Sequence, residues 1–236
     1  MTKRIREGDS WSEYASIAYT KIEITDENIK NGCIEFRKKL TEQVIIHLRD
    51  RIPGKIVELN NKVNISNRPG SVLNTDELRE VTIEDTPISI SSNNQIKELV
   101  TSVKSEVSEL IEMIGSIKLW VQLNIPQIQN GNNFGVGIQE ETIQELGRVE
   151  DATFSLYESV CKYYSERARL SSKVIKYPGV EDFKQAIREL DERYWVSLRC
   201  SVADMRNHYA WLHDLLTKNW EKLSKPRNSE DINMIY

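Results

Sequence analysis

The residues best able to do chemistry are three histidines (His47, His208, His213) and three cysteines (Cys33, Cys161, Cys200) in a chain of 236. A metal centre needs such ligands close together on one face. His208 and His213 are five residues apart, which on a helix points them to different faces. The cysteines are odd in number, widely spaced and without a CxxC pair, so they read as reduced core thiols in a cytosolic or nuclear protein. There is no phosphate-binding glycine loop, no GxSxG elbow and no HExxH. A di-iron helical enzyme would need Glu-x-x-His pairs, and none is present. The carboxylates read as solvated charge on polar helix faces. The sequence therefore predicts no catalytic residue, no metal and no cofactor.

What the chain does have is long helices. Ten Gly and six Pro are few, 29% of residues are charged, and 39% are hydrophobic. That balance suits helices with one buried face. Apolar residues step by three and four through four segments. The first spans about Asp26 to Leu59 on Ile29, Cys33, Phe36, Leu40, Val44, Leu48 and Ile52, with a kink or break expected at Pro53-Gly54. The second spans about Gln95 to Ile125 and stops before Pro126. The third spans about Val136 to Lys176, and the fourth about Glu181 to Leu223. Short connections make the last three antiparallel neighbours. The stretch from Asn60 to Asn94 is polar and aperiodic, and reads as a flexible linker. The fold class is all-α, a single elongated antiparallel four-helix bundle.

A net charge of −4 offers no bulk attraction to nucleic acid or an anionic membrane. No apolar run is long enough to span a bilayer, and Gly8-Asp-Ser-Trp-Ser-Glu13 is too polar for a signal peptide. Function is thus expected in binding a protein partner, and two segments stand out for it. Pro126-Gln-Ile-Gln-Asn-Gly-Asn-Asn-Phe-Gly135 is richer in Gly and Asn than a helix hairpin requires. Those residues tolerate left-handed backbone, so the segment is either an ordinary hairpin or a shaped recognition loop. The end of the chain, Pro226 to Tyr236, starts polar and finishes Met234-Ile235-Tyr236. Such a tail either folds back on the bundle or enters a partner's pocket.

Trp120-Val-Gln-Leu-Asn-Ile-Pro126, Gly131-Asn-Asn-Phe-Gly-Val136, Ile138-Gln-Glu-Glu141, Lys176-Tyr-Pro-Gly-Val-Glu-Asp182, Leu212-His-Asp214, Lys225-Pro-Arg227 and the Met-Ile-Tyr ending closely resemble the 11S (REG) proteasome activators. The blocks fall in order across the second to fourth helices. The first helix matches weakly. The resemblance implies self-association into a heptameric ring with a central channel, alone or with a paralogue. It implies binding to the α-ring of the 20S proteasome and gate opening without ATP, which stimulates peptide hydrolysis.

By the same resemblance, Asn233, Met234, Ile235 and Tyr236 form the docking tail. Gln127, Ile128, Gln129, Asn130, Gly131, Asn132, Asn133, Phe134 and Gly135 form the activation loop, with Asn132 at the family's critical asparagine. Familiar members carry Arg, Glu and Asp where this chain has Gln127, Gln129 and Asn130, so ion pairs made there must differ. The linker lacks a basic import cluster, which leans localisation to the cytoplasm and leaves the nucleus open. The competing reading is a structural coiled-coil or tethering subunit, which explains the seams but neither the loop nor the tail.

Overall fold

A computed structural model describes residues 24–66, 73, 80–81, 89–127 and 133–227. The chain divides into two units, Met1–Lys39 and Leu40–Tyr236. In the first, the described residues are the opening of helix α1 (Glu27–Ile46), where Asp26 Oδ1 accepts the Asn28 N–H at 2.8 Å as an N-cap. Ile29, Ile34 and Phe36 are exposed there.

The second unit holds the rest of α1, a π-helical turn (His47–Arg51), α2 (Ile52–Ser66), α3 (Asn94–Leu123), α4 (Phe134–Lys176), α5 (Glu181–Lys218) and the short α6 (Trp220–Ser224). Helices α2 and α4 both pack on α5, and α3 packs on α4. The core is an apolar column that includes Val44, Leu59, Ile96, Leu110, Ile114, Leu146, Leu190, Leu198, Tyr209 and Leu212. The seams anticipated for α3, α4 and α5 supply most of it, and the all-α fold class stands.

The break expected at Pro53 takes another form. The chain stays helical through Pro53, but the turn before it widens to π geometry, with the Ile52 N–H reaching the His47 carbonyl. Proline has no N–H to give and its ring crowds the carbonyl four residues back, which a wider turn relieves. The Leu48 carbonyl is then met from α5 by His213 Nε2 at 3.1 Å. His208 lies on another face of α5, beside Thr153 and Leu156 of α4.

Four further expectations are corrected. The first helical segment runs on to Ser66, so the linker starts later than Asn60. Part of the connection is ordered: Leu73 is buried, and residues 80–81 pair antiparallel with 89–90, Glu80 opposite Ile90. The cysteines are free but exposed, not core. Cys161 follows buried Val160 and Cys200 falls between buried Leu198 and Val202, and a 100° step per residue carries both thiols outward. Of the first seam, Leu40, Val44, Leu48 and Ile52 are buried, whereas Cys33 and Phe36 are not.

Nor are all carboxylates on solvated faces. Glu106 of α3 is buried between Lys55 and Lys62 of α2, 3.0 Å from each Nζ. Asp191 of α5 is buried against Arg167 of α4, with Arg167 Nε 3.0 Å from Oδ1, and Tyr163 donates its hydroxyl to the same oxygen at 2.8 Å. Burial and the adjacent Asp191 charge push the Tyr163 hydroxyl well above its usual pKa, so it remains a donor. Both networks tie one helix to another across the bundle.

Candidate functional site

The segment between α3 and α4 and the start of the C-terminal tail meet at one end of the second unit. Helix α3 stops at Leu123 because Pro126 cannot continue it, and Ile125 and Pro126 lead away from the helix. Helix α4 begins earlier than the apolar period suggests, at Phe134. Phe134 and Gly135, read from sequence as loop, therefore form the first turn of α4. Asn133 occupies the N-cap position, and its carbonyl accepts the Gly137 N–H at 2.9 Å. Phe134 is 70% exposed, a large apolar side chain presented beside the loop.

Of the loop residues expected to act, Gln127, Asn133, Phe134 and Gly135 are described. Ile128, Gln129, Asn130, Gly131 and Asn132 lie outside the described residues, as do Asn233, Met234, Ile235 and Tyr236 of the tail. The described part shows how the two segments are joined. Helix α6 ends at Ser224, and Pro226-Arg227 then crosses the first turn of α4. Gly135 is buried against the Pro226 backbone. A Cβ at 135 would fall 2.7 Å from the Pro226 Cα and carbonyl carbon, and would also clash with its oxygen. Glycine is required here for close approach of two backbones.

The Arg227 guanidinium then spans the loop. Its Nη1 donates to the Gln127 carbonyl at 3.1 Å, and its Nη2 donates to Asn133 Oδ1 at 2.7 Å. One turn further along α4, Gln139 is wholly buried. Its Nε2 donates to the Asn124 carbonyl at the end of α3 (3.1 Å) and to the Leu223 carbonyl of α6 (2.9 Å). Both acceptors belong to helix C-termini, whose last carbonyls lack intrahelical partners. A single amide thus caps two helix ends and fixes their separation. Trp120 of α3 also stacks on Trp220 of α6, with centroids 4.7 Å apart and planes 5° from parallel. Trp120 Nε1 also donates to Thr41 Oγ1 at 3.2 Å.

Sequence reasoning missed Gln139 and gave Arg227 no role. Stepping back along α4 from Leu146 by four, three and four reaches Thr142, Gln139 and Gly135, all buried. Polar and small residues in core register were the available signal. Among the described residues of this arrangement, none pairs a nucleophile with a base. Its described residues present backbone and amide groups and the exposed Phe134 ring.

The Gly135 contact makes a direct prediction. Gly135→Ala forces Pro226 away from α4 and should destabilise this end by about 1–3 kcal/mol, the usual range for overpacking. A fall in the thermal midpoint, with faster amide exchange at residues 224–227, is the expected result. An unchanged midpoint and exchange pattern would contradict the close approach.

A family model described as proteasome activator PA28, C-terminal, matches residues 89–233. Over 159 residues the chain is 44% identical to proteasome activator complex subunit 3 of Gallus gallus. The match covers 65% of this chain and 63% of that relative, less than two thirds of its length. Over 211 residues it is 32% identical to proteasome activator 28 of Dictyostelium discoideum, covering 85% of this chain and 93% of that protein. The fold superposes on the crystal structure of the 11S subunit of the Plasmodium falciparum proteasome, PA28, with a TM-score of 0.78 and 47% identity, over 88% of this chain and 98% of that one.

Proposed function

The chain belongs to the PA28 proteasome activator family, and on that premise we propose that it is a non-catalytic, ATP-independent activator of the 20S proteasome. It self-associates into a heptameric ring, alone or with a paralogue, and caps the α-ring. Tails ending in Asn233, Met234, Ile235 and Tyr236 enter pockets on the α-ring. The loop Gln127–Gly135 contacts the segments that hold the gate shut. Localisation in the cytoplasm, and also the nucleus, goes with this reading.

The observation that carries it is the joining of loop and tail at one end of the second unit through Arg227, Gln139 and Gly135. An activator of this kind must bring an anchor and a gate-directed loop to the same surface. A merely structural bundle has no use for the pairing. The exposed Phe154, Tyr157, Val196 and Trp211 of the second unit give apolar surface that ring formation would cover.

The division of labour is energetic. The tails supply affinity, and the loop has only to bind the open gate better than the closed one. Binding and opening are therefore separable. Asn132→Tyr should leave binding to latent 20S proteasome intact, measured by co-migration on native gels. Stimulation of fluorogenic peptide hydrolysis should fall to near the basal rate. Full stimulation by Asn132→Tyr would overturn the assignment of the loop.

A further inference from the structure

In the reading proposed above the tail anchors and the loop contacts the gate, but one side chain, Arg227, belongs to both. Arg227 emerges from the base of the tail and holds the two ends of the loop at once, Gln127 by its carbonyl and Asn133 by its side-chain amide. Guanidinium is the only side-chain group whose planar fork can reach two acceptors at fixed spacing without losing its charge. We infer that Arg227 is a positioning residue for gate opening: it staples the ends of the activation loop together from the tail, so that the loop is held in its working shape by the segment that anchors the ring. This rests on the activator reading above.

Three features argue that the staple is built rather than incidental. The position of Arg227 is set by its neighbour, because Pro226 has a fixed φ and its backbone lies in van der Waals contact with Gly135. The Gln139 amide holds the two helix ends that feed the loop and the tail, so the roots from which Gln127 and Arg227 extend keep a fixed separation. The Asn133 amide also makes no cap to its own helix, in spite of standing at the N-cap of α4. Its oxygen serves Arg227 instead of the orphan N–H groups it would ordinarily accept from.

The consequence is mechanical. A loop whose ends are pinned samples fewer shapes, and the fraction of loops competent to contact the gate rises accordingly. Because the pin sits at the root of the tail, tail docking and loop shape are coupled. The Arg227 bonds lie at the surface, where a charge-assisted pair contributes modestly. The expected loss on removing them is about three- to tenfold in competent loops.

The test compares the assembled wild-type protein with Arg227→Ala, Arg227→Lys and Asn133→Ala. Proteasome binding, peptide hydrolysis at saturating activator and amide exchange across residues 124–137 are measured in parallel. Arg227→Ala should bind within about twofold of wild type, since Met234–Tyr236 are intact, while maximal stimulation falls about three- to tenfold. Lysine keeps the charge but cannot span both acceptors, and should restore only part of the loss. Asn133→Ala should reproduce part of it and add nothing in the Arg227→Ala background. Exchange at residues 124–134 should rise in Arg227→Ala.

Unchanged maximal stimulation with unchanged exchange overturns the inference. Weakened binding at an unchanged maximal rate overturns it too, because Arg227 would then be an anchor. A wild-type protein that binds without stimulating overturns instead the activator reading, and the exchange comparison still decides the staple.

Discussion

Removal of Met234–Tyr236 is expected to abolish proteasome stimulation completely, with no effect on the fold or on ring assembly. A single tail burying a methionine and an isoleucine would bind with a Kd of about 1 mM, or about −4 kcal/mol. That is too weak to hold a cap at micromolar concentrations. In a ring the second and later tails bind intramolecularly, at effective concentrations in the millimolar range, so the assembly gains about 10²–10⁴ or more over one tail. Truncation subtracts the contribution from every subunit at once, and the gain vanishes with it. The loss should therefore be all-or-none, unlike the graded losses expected at Arg227. Sedimentation and circular dichroism of the truncated protein should match the intact one. Residual stimulation above about a tenth of the intact level would mean that the loop or the ring face contributes affinity of its own.

The largest effect on stability is expected at Asp191. Its carboxylate is buried with Arg167 and Tyr163 between α4 and α5, and the two charged side chains are only 5% and 9% exposed. Asp191→Ala leaves the Arg167 guanidinium buried without its counter-charge and Tyr163 without its acceptor. Stranding one partner of a buried ion pair costs about 3–5 kcal/mol. For a chain of this size that lowers the thermal midpoint by roughly 10 °C. Replacing the whole set, Asp191→Leu with Arg167→Met and Tyr163→Phe, should recover most of the loss, since the desolvation of both charges goes with them. A drop below about 1 kcal/mol in the single variant would show that water reaches the pair.

Much of this molecule was legible in its sequence. Leu110, Ile114 and Ile117 of α3, or Leu198, Val202 and Met205 of α5, step with the helical period and are buried where the period puts them. The residues that the period could not interpret were polar ones in core register. Gln139, Arg167 and Asp191 fall on buried stripes of α4 and α5, but a single polar residue on a stripe says nothing of its partner across the bundle. Pro53 presents a related case. A proline signals a kink or a break, whereas the chain here stays helical through a π turn whose Leu48 carbonyl is met by His213 of α5, a neighbour that no local pattern names. At the functional end, Pro226 and Arg227 lie roughly a hundred residues from Gln127 and Asn133 in sequence. The staple between them depends on helices that bring those ends together, and no local pattern records it. The tail and the middle of the loop were assigned by resemblance and by their composition, and they carry the proposed function.

If this chain opens the 20S gate, peptide entry should rise when it binds. The most direct measurement is the rate of fluorogenic peptide hydrolysis by latent 20S proteasome from the same source, as the intact protein is titrated in without nucleotide. A saturable rise of at least about tenfold is expected, as for a gate shifted from mostly closed to mostly open. A rate that stays at the basal level while the protein is bound to the proteasome would contradict gate opening.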